Sequence, residues 1–434
     1  AVTSVKSSDA KALSVGDASR SGAWTVASLR AAPGGAGGSV RVDVAFSDGT
    51  SISTHFWTLP AAAPAHAEAF GSFSANVAWL PLDSGDPFGR GASVMPWDRL
   101  NKEHVMQDAR PFVVGLSDDA GAGANLGLAA KAVGSPTQLE TSRLDEYVEF
   151  TLRGTKNASE ALPPFFSLTD PISGRLLMTM FYYNQSTLNT TDYYTELDKC
   201  DFFPSWCSFN APYPGMPPSW IREYRQFNFP HQIAVYWSLY RAARHHAPAI
   251  ATKHPWQWYL SAAHNLTLSL GCYDPGRGVF TCVPQTGLMD GTVMHEVLLD
   301  LRAEGMDTEA DQAEDMMRQR AVTGTAPDAP SWNDQPFPYG SEFNWDTTGQ
   351  EEVGVWGLHF GASNSTFTPA SLVERAADAI LAFTPSVANW AWHGSSGGWG
   401  DFSNNALYMV TNGWEREGGH YRAGLNSIPL LELF

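Results

Sequence analysis

The chain has 434 residues and a formal net charge of -18, with 45 acidic and 27 basic residues. This balance, without any Lys/Arg-rich tract, argues against a nucleic-acid-binding protein, and no apolar run approaches the ~18 residues that a membrane helix needs. An apolar content of 43% and 16 tryptophans supply material for a large core and exclude pure disorder.

The first 60 residues are predicted to form β-strands. The stretch from Ser39 to Thr58 alternates apolar and polar residues around Asp48-Gly49, which is the pattern of a β-hairpin. About four strands make a poor β-sandwich on their own, so we predict that residues 1–60 are the end of a larger β domain. The rest of that β domain would be a separate N-terminal polypeptide from the same precursor. Residues 61–104 are predicted to be a linker that leads into the helices.

Residues 105–434 have a dominant helical period. A helix is predicted over 111–134, ending at Gly134, with Ser135 as the N-cap of the next helix. Three further helices each carry one continuous apolar face, at residues 229, 233, 236, 237 and 240, at 256, 259, 263, 266 and 270, and at 293, 294, 297, 298 and 301.

Short and long loops alternate between these helices, which is typical of helix hairpins arranged in a ring. We therefore predict a mainly α fold with a smaller β part. An (α/α)6-type helical toroid over 105–434 would follow an antiparallel, sandwich-like β segment. An irregular helical domain is the alternative.

Five Asn-x-Ser/Thr triplets indicate a secreted, extracellular glycoprotein. They are Asn157, Asn184, Asn189, Asn265 and Asn364. The four cysteines are consistent with this, because Cys200 lies close to Cys207 in sequence and Cys272 lies close to Cys282. Two short-loop disulfides are the simplest pairing. A four-cysteine zinc site is the alternative.

Carboxylates and aromatic residues are concentrated just before two of the predicted helices. Glycoside hydrolysis needs one protonated and one ionised carboxyl group, and the candidate catalytic residues are Glu342, Asp346, Glu352 and Asp290. Asp290 also fits the N-cap of the helix that follows it. Glu351 occupies the third position of a capping box that begins at Thr348, which favours a structural role for it.

Aromatic rings stack on sugar faces, and polar groups near them orient the sugar hydroxyls. The candidate substrate-binding residues are Trp332, Tyr339, Trp345, His231, Trp392, His393, Trp399, His420, Tyr421 and Arg422. For the glycine-rich stretch 389–401 and for the isolated histidines, a structural role is the alternative. No cofactor and no metal site is predicted. A structural Ca²⁺ is compatible with the carboxylates, but no loop has the ligand spacing that would require it.

Five stretches of the sequence resemble a large family of secreted microbial proteins. They are QDARPFVVGLSDDAGAGANL (107–126), FNFPHQIAVYWSLYRAAR (227–244), HPWQWYL (254–260), GSEFNWDTTGQEEV (340–353) and HYRAGLNSIP (420–429). The family is catalogued as a domain of unassigned function and described as glycoside-hydrolase-like, with a six-hairpin toroid. The resemblance covers most of 70–434, is most specific at GSE-x-x-WD-x-TGQEE, and is weaker over 155–220. It implies a carbohydrate-active fold and β structure on the N-terminal side, but it assigns no catalytic residue.

The leading interpretation is a secreted glycoside hydrolase that cleaves a polysaccharide, and the acidic chain favours a neutral glycan. The first alternative is a polysaccharide lyase that acts on a uronic-acid polymer with a Tyr or His base. Its candidate groups are His231, His420, Tyr421, Arg422 and Asn344. A non-catalytic glycan-binding protein is the third hypothesis.

Overall fold

The structure is a computed structural model. It describes residues 1–22, 24–32, 37–59, 62–86, 91–105, 122–153, 230–270, 273–274, 279–280, 287–323 and 349–361. The chain divides into two compact units, residues 1–73 and residues 74–434. Across the described ranges the fold is mainly α with small antiparallel sheets, as predicted. The toroid and the upstream β polypeptide stay predictions. None of the helices in these ranges is long and apolar enough to cross a membrane.

The first unit is built from short strands and one helix. They are β1 (Val2–Ser7), β2 (Leu13–Val15), β3 (Ser19–Ser21), β4 (Trp24–Val26), β5 (Leu29–Ala31), β6 (Gly38–Phe46), β7 (Ser51–Thr58) and α1 (Ala63–Ser72). Three strands form an antiparallel sheet in the order β1-β6-β7, and β2 pairs with β5 and β3 with β4.

The predicted hairpin is confirmed by the pairing of β6 with β7. Its turn contains Gly49 at φ +86, a left-handed conformation that glycine adopts without steric cost. The Asp48 carboxylate accepts a hydrogen bond of 3.0 Å from the Thr50 N–H and closes the turn. One face of the sheet is apolar, and there the buried side chains of Val40 and Val42 pack with Leu13.

The second unit contains three short strand pairs and seven further helices within the described ranges. The strands are β8 (Trp79–Leu80), β9 (Ser93–Val94), β10 (Trp97–Asp98), β11 (Glu103–His104), β12 (Tyr273–Asp274) and β13 (Val279–Phe280). The helices are α2 (Ala122–Gly134), α3 (Gln138–Glu146), α4 (Pro230–His245), α5 (Trp256–Leu270), α6 (Thr292–Ala303), α7 (Asp307–Arg318) and α8 (Gln350–Gly361). Helix α6 contacts α4, α5, α7 and α8, so the residues at its ends lie among several elements.

The end of α2 at Gly134 is confirmed, but the predicted cap of α3 at Ser135 is wrong. Thr137 is the N-cap, because its hydroxyl accepts a hydrogen bond from the Glu140 N–H and the Glu140 carboxylate accepts one from the Thr137 N–H. Glu140 is also paired with buried Lys131 at 2.8 Å. This tertiary contact fixes the helix start two residues later than the local pattern indicates.

Most members of the apolar faces predicted for α4, α5 and α6 are buried, whereas Trp237 and Trp256 are half-buried and Phe229 lies outside the described residues. The fully or nearly fully buried members are Ile233, Tyr236 and Tyr240 on α4, Tyr259, Ala263, Leu266 and Leu270 on α5, and Val293, Met294, Val297, Leu298 and Leu301 on α6. The helical period in the sequence therefore identifies the core side of each helix.

Candidate active site

A tight turn just before α6 presents a carboxylate. Asp290 has φ +55, a left-handed conformation that Asp adopts more readily than most residues with a side chain. The N-cap of α6 is Gly291, which has no side-chain cap, so Asp290 does not act in the capping role that the sequence also allowed. Its side chain is instead 38% exposed and faces His231.

His231 lies in the first turn of α4 and is buried. Its Nε2 atom is 3.0 Å from Oδ2 of Asp290. A carboxylate only accepts hydrogen bonds, so an ionised Asp290 requires the proton on this nitrogen. The pair joins a buried ring to a carboxylate that reaches the surface, and it fixes the direction of that carboxylate.

Glu351 lies in the first turn of α8 and is buried. Its Oε1 atom accepts hydrogen bonds from both the N–H, at 3.1 Å, and the hydroxyl of Thr292 at the start of α6. Its Oε2 atom is buried and has no hydrogen-bond partner within the described residues. Glu351 therefore places a carboxyl group against the first turn of α6, with one oxygen satisfied and one not.

Burial raises the pKa of Glu351 to about 8, with a further rise from the negative charge of Asp290 and an opposing effect of the Thr292 hydrogen bonds. At neutral pH Glu351 is consequently protonated, and Oε2 is the oxygen available to carry the proton. The proton is kept on Glu351 mainly because its carboxyl group is buried, where the charged form is costly.

The adjacent Glu352 has a different environment, since its side chain and that of Arg320 are both fully buried. The Arg320 guanidinium donates to Oε1 of Glu352 at 2.6 Å and to Oε2 at 2.9 Å. Burial raises the pKa of Glu352, and the Arg320 charge opposes that rise. Two hydrogen bonds from one guanidinium to both oxygens of a carboxyl group are typical of an ionised carboxylate.

Helix α8 also holds both ends of the turn that carries Asp290. Oε1 of Glu352 accepts a hydrogen bond of 2.8 Å from the Leu288 N–H, and the Trp356 ring nitrogen donates to the Gly291 carbonyl at 3.1 Å. A Cβ atom at Gly291 would lie 2.7 Å from Cβ of Glu352, which is too close for any residue but glycine. The turn is therefore clamped against α8.

A second polar chain crosses α6, α8 and α7. Nε2 of His295 is 3.2 Å from Nδ1 of His359, whose Nε2 atom is 3.1 Å from a carboxylate oxygen of Glu314. Burial and the neighbouring His359 lower the pKa of His295 to about 4, so His295 is neutral at physiological pH. These contacts join three helices, which indicates a structural role for His295.

Three of the predicted site residues lie in the described part of the chain. The structure brings His231 and Asp290 into contact, and it places Glu352 in the buried pair with Arg320. The remaining predicted site residues lie outside the described residues and their roles stay predictions: Glu342, Asp346, Trp332, Tyr339, Trp345, Trp392, His393, Trp399, His420, Tyr421 and Arg422.

The same holds for the predicted disulfides and for most of the predicted glycosylation sites. Cys200, Cys207, Cys272, Cys282, Asn157, Asn184, Asn189 and Asn364 lie outside the described residues, whereas Asn265 is exposed on α5. Among the described residues no three His, Cys, Asp or Glu side chains are grouped so that they could hold a metal ion. The compatibility with Ca²⁺ stays untested.

Sequence reasoning did not include Glu351 among the site residues. Its position in a capping-box pattern gave a sufficient local explanation, and Thr348 lies outside the described residues. Neighbouring residues on a helix point about 100° apart, so two consecutive glutamates reach different partners. The packing of α8 against α6 shows that Glu351 is the one that reaches Thr292 at the start of α6.

All 434 residues are similar to one protein family. Residues 1–434 match the family described as "Family of unknown function (DUF5695)". The chain belongs to this family. No curated protein matches this DUF5695 chain.

One solved structure with a similar fold is described as "Polysaccharide Lyase BACCELL_00875". The TM-score is 0.55 at 11% sequence identity, over 100% of the DUF5695 chain and 51% of that chain. The DUF5695 chain thus spans about half the length of this structural relative. At this level of identity the likeness concerns the fold.

Proposed function

We propose that this DUF5695 chain is a carbohydrate-active enzyme that hydrolyses a polysaccharide, with Asp290 as a catalytic carboxylate. The observation that carries the proposal is the cluster around Asp290. The partly exposed carboxylate of Asp290 is oriented by His231, and its negative charge helps to keep the buried Glu351 carboxyl group protonated. Glycoside hydrolysis characteristically uses two carboxyl groups whose different environments keep one protonated and the other ionised.

Within this proposal each group has a distinct task. Asp290 is the exposed member, so it is the group that contacts the substrate and acts either on a water molecule or on the sugar carbon. His231 orients it through the Nε2–H hydrogen bond. Glu351 is a positioning residue that remains neutral beside Asp290 and leaves the site with one negative charge. The general acid is then expected from Glu342 or Asp346, the residues that the sequence indicated.

A polysaccharide lyase is the second candidate, and the fold likeness to a polysaccharide lyase supports it. A lyase needs a base that removes a proton next to a uronate carboxyl group. His231 is the described candidate, but it is buried and its Nε2 atom already faces Asp290. Asp290, which is exposed, is better placed to meet a substrate. The exposed carboxylate of Asp290 is the observation, within the described residues, on which we base the choice of hydrolysis.

The experiment is product analysis with the purified chain on neutral polysaccharides and on uronic-acid polymers. Two readouts are recorded in each reaction: new reducing ends, which both reactions produce, and the ultraviolet absorbance of an unsaturated uronide, which only the lyase produces. Hydrolysis predicts reducing ends without that absorbance. Reducing ends that rise together with the absorbance on a uronic-acid polymer would replace the hydrolase by the lyase.

A further inference from the structure

The outer face of the sheet β1-β6-β7 carries an unexplained tryptophan. Trp57 on β7 is 71% exposed and contacts no other aromatic ring within the described residues. The core of this unit is on the opposite face, where Val40 and Val42 are buried. Antiparallel sheets commonly have one buried and one solvated face, so core packing does not account for Trp57.

A row of polar side chains lies along the same face of the sheet, with this ring at one end. The strand register places Ser39 opposite Trp57, Arg41 opposite His55 and Asp43 opposite Ser53. Alternate residues of a strand share one face of the sheet. The polar strip is therefore defined here as Ser39, Arg41, Asp43, Ser53, His55 and Trp57.

The polar groups of the strip are held in place by one another. Asp43 accepts hydrogen bonds from the Arg41 guanidinium at 3.1 Å and from the Ser53 hydroxyl at 2.5 Å. The Ser39 hydroxyl lies 3.3 Å from Nδ1 of His55. The hydrogen bonds from Ser53 and Arg41 lower the pKa of Asp43, so its charge offsets that of Arg41. Lys6 on β1 lies opposite Asp43 in the strand register, so this face of the sheet carries one further positive charge beside the Arg41–Asp43 pair.

We propose that the polar strip is a second glycan-binding site, in which Trp57 stacks on a sugar ring and the neighbouring polar groups bind its hydroxyls. The ligand class, a neutral polysaccharide, rests on the proposed function. Two features of the strip favour a sugar: the exposed ring offers a flat apolar face, and the polar groups beside it supply donors and acceptors for hydroxyl groups. The net charge of -18 of the whole chain disfavours a polyanion. Another protein surface is disfavoured, because charged residues are depleted at the centre of protein interfaces.

The test is affinity electrophoresis of the full chain carrying Asp290→Asn, which keeps the polymer intact. The gels contain a neutral glucan, a neutral mannan or polygalacturonate. We expect retardation by a neutral polymer, and Trp57→Ala should weaken the apparent affinity about tenfold, since stacking buries a large aromatic face. Trp24→Ala removes a similarly exposed tryptophan, 74% exposed on β4, and serves as the matched control that should bind like the parent.

Three results would overturn the polar strip as a glycan site. Trp57→Ala is retarded as strongly as the parent; only polygalacturonate retards the chain; or sedimentation shows a dimer that Trp57→Ala dissociates. Failure of the proposed function is a separate outcome. Retardation that depends on Trp57, without product release by the wild-type chain from the same polymer, would support the polar strip as a glycan-binding site. It would contradict the catalytic proposal.

Discussion

Glu351 and Glu352 are consecutive in the first turn of α8, yet their carboxyl groups have opposite environments. Glu351 contacts Thr292 at the start of α6 and is affected by the charge of Asp290, whereas Glu352 forms a buried pair with Arg320. The Glu351 carboxyl group is kept neutral, whereas the Glu352 carboxyl group is paired with the positive charge of Arg320. This difference leads to contrasting predictions for two otherwise identical substitutions.

Glu352→Gln should strongly destabilise the fold. The substitution removes the carboxylate that accepts two hydrogen bonds from the fully buried Arg320 guanidinium, and breaking a buried ion pair costs about 3–5 kcal/mol. Urea unfolding at pH 7 measures the change in the free energy of unfolding. Glu351→Gln is the matched control and should not destabilise the fold at pH 7, because folding of the wild type there requires Glu351 to take up a proton and the neutral amide removes that cost. Equal losses in the two variants would contradict the assignment of their charges.

Glu351→Gln should change how stability depends on pH. The Glu351 carboxyl group has a pKa of 4.5 in the unfolded chain and of about 8 in the folded chain. Between these values the folded state holds a proton that the unfolded state has released, so raising the pH favours unfolding. The wild-type chain should therefore lose up to about 1.4 kcal/mol per pH unit in this window relative to Glu351→Gln.

Unfolding curves recorded from pH 5 to pH 9 for both chains measure this difference. Other groups titrate in both proteins and cancel in the comparison. Parallel stability profiles across the window would show that Glu351 ionises normally in the folded chain.

Gly291→Ala should weaken the clamp on the turn that carries Asp290. The new Cβ atom would lie 2.7 Å from Cβ of Glu352, so α8 must shift, which typically costs about 1–3 kcal/mol. Gly134→Ala is the control, because nothing lies within 4 Å of a Cβ atom there. Thermal unfolding of both variants tests this, and a Gly291→Ala chain as stable as Gly134→Ala would refute the close approach.

The sequence predicts local features of this fold well. The hairpin at Asp48-Gly49 and the end of α2 at Gly134 depend on backbone preferences that a few residues determine. The start of α3 was predicted too early, because Ser135 and Thr137 both suit a helix cap locally. A tertiary contact, the pairing of Glu140 with Lys131, favours the later residue.

The candidate site is harder to predict because its contacts are distant in sequence. His231 and Asp290 were each singled out, but no local pattern indicates that they touch. The protonation state of Glu351 depends on burial and on the charge of Asp290 across two elements. The spacing of residues in the sequence contains information about neither the burial of Glu351 nor the charge of Asp290. The capping-box pattern was therefore a sufficient local explanation for Glu351.

Glu351→Gln should keep activity at neutral pH and extend it to higher pH. In the wild-type chain Glu351 ionises near pH 8, which places a second negative charge beside Asp290. The pH profile of kcat/KM should therefore fall above that pH in the wild type and continue further in Glu351→Gln. Loss of turnover at neutral pH in Glu351→Gln would instead make Glu351 the general acid itself.

The most direct test of the account compares polysaccharide cleavage by the wild-type chain and by Asp290→Asn. The measurement is the rate of reducing-end release from the neutral polymer that the wild type cleaves best, with folding verified by circular dichroism. The account predicts a loss of roughly 10²–10⁴-fold, the usual contribution of a positioned acid–base group, with the fold intact. A folded Asp290→Asn chain that releases product at the wild-type rate would contradict the assignment of Asp290 as the catalytic carboxylate.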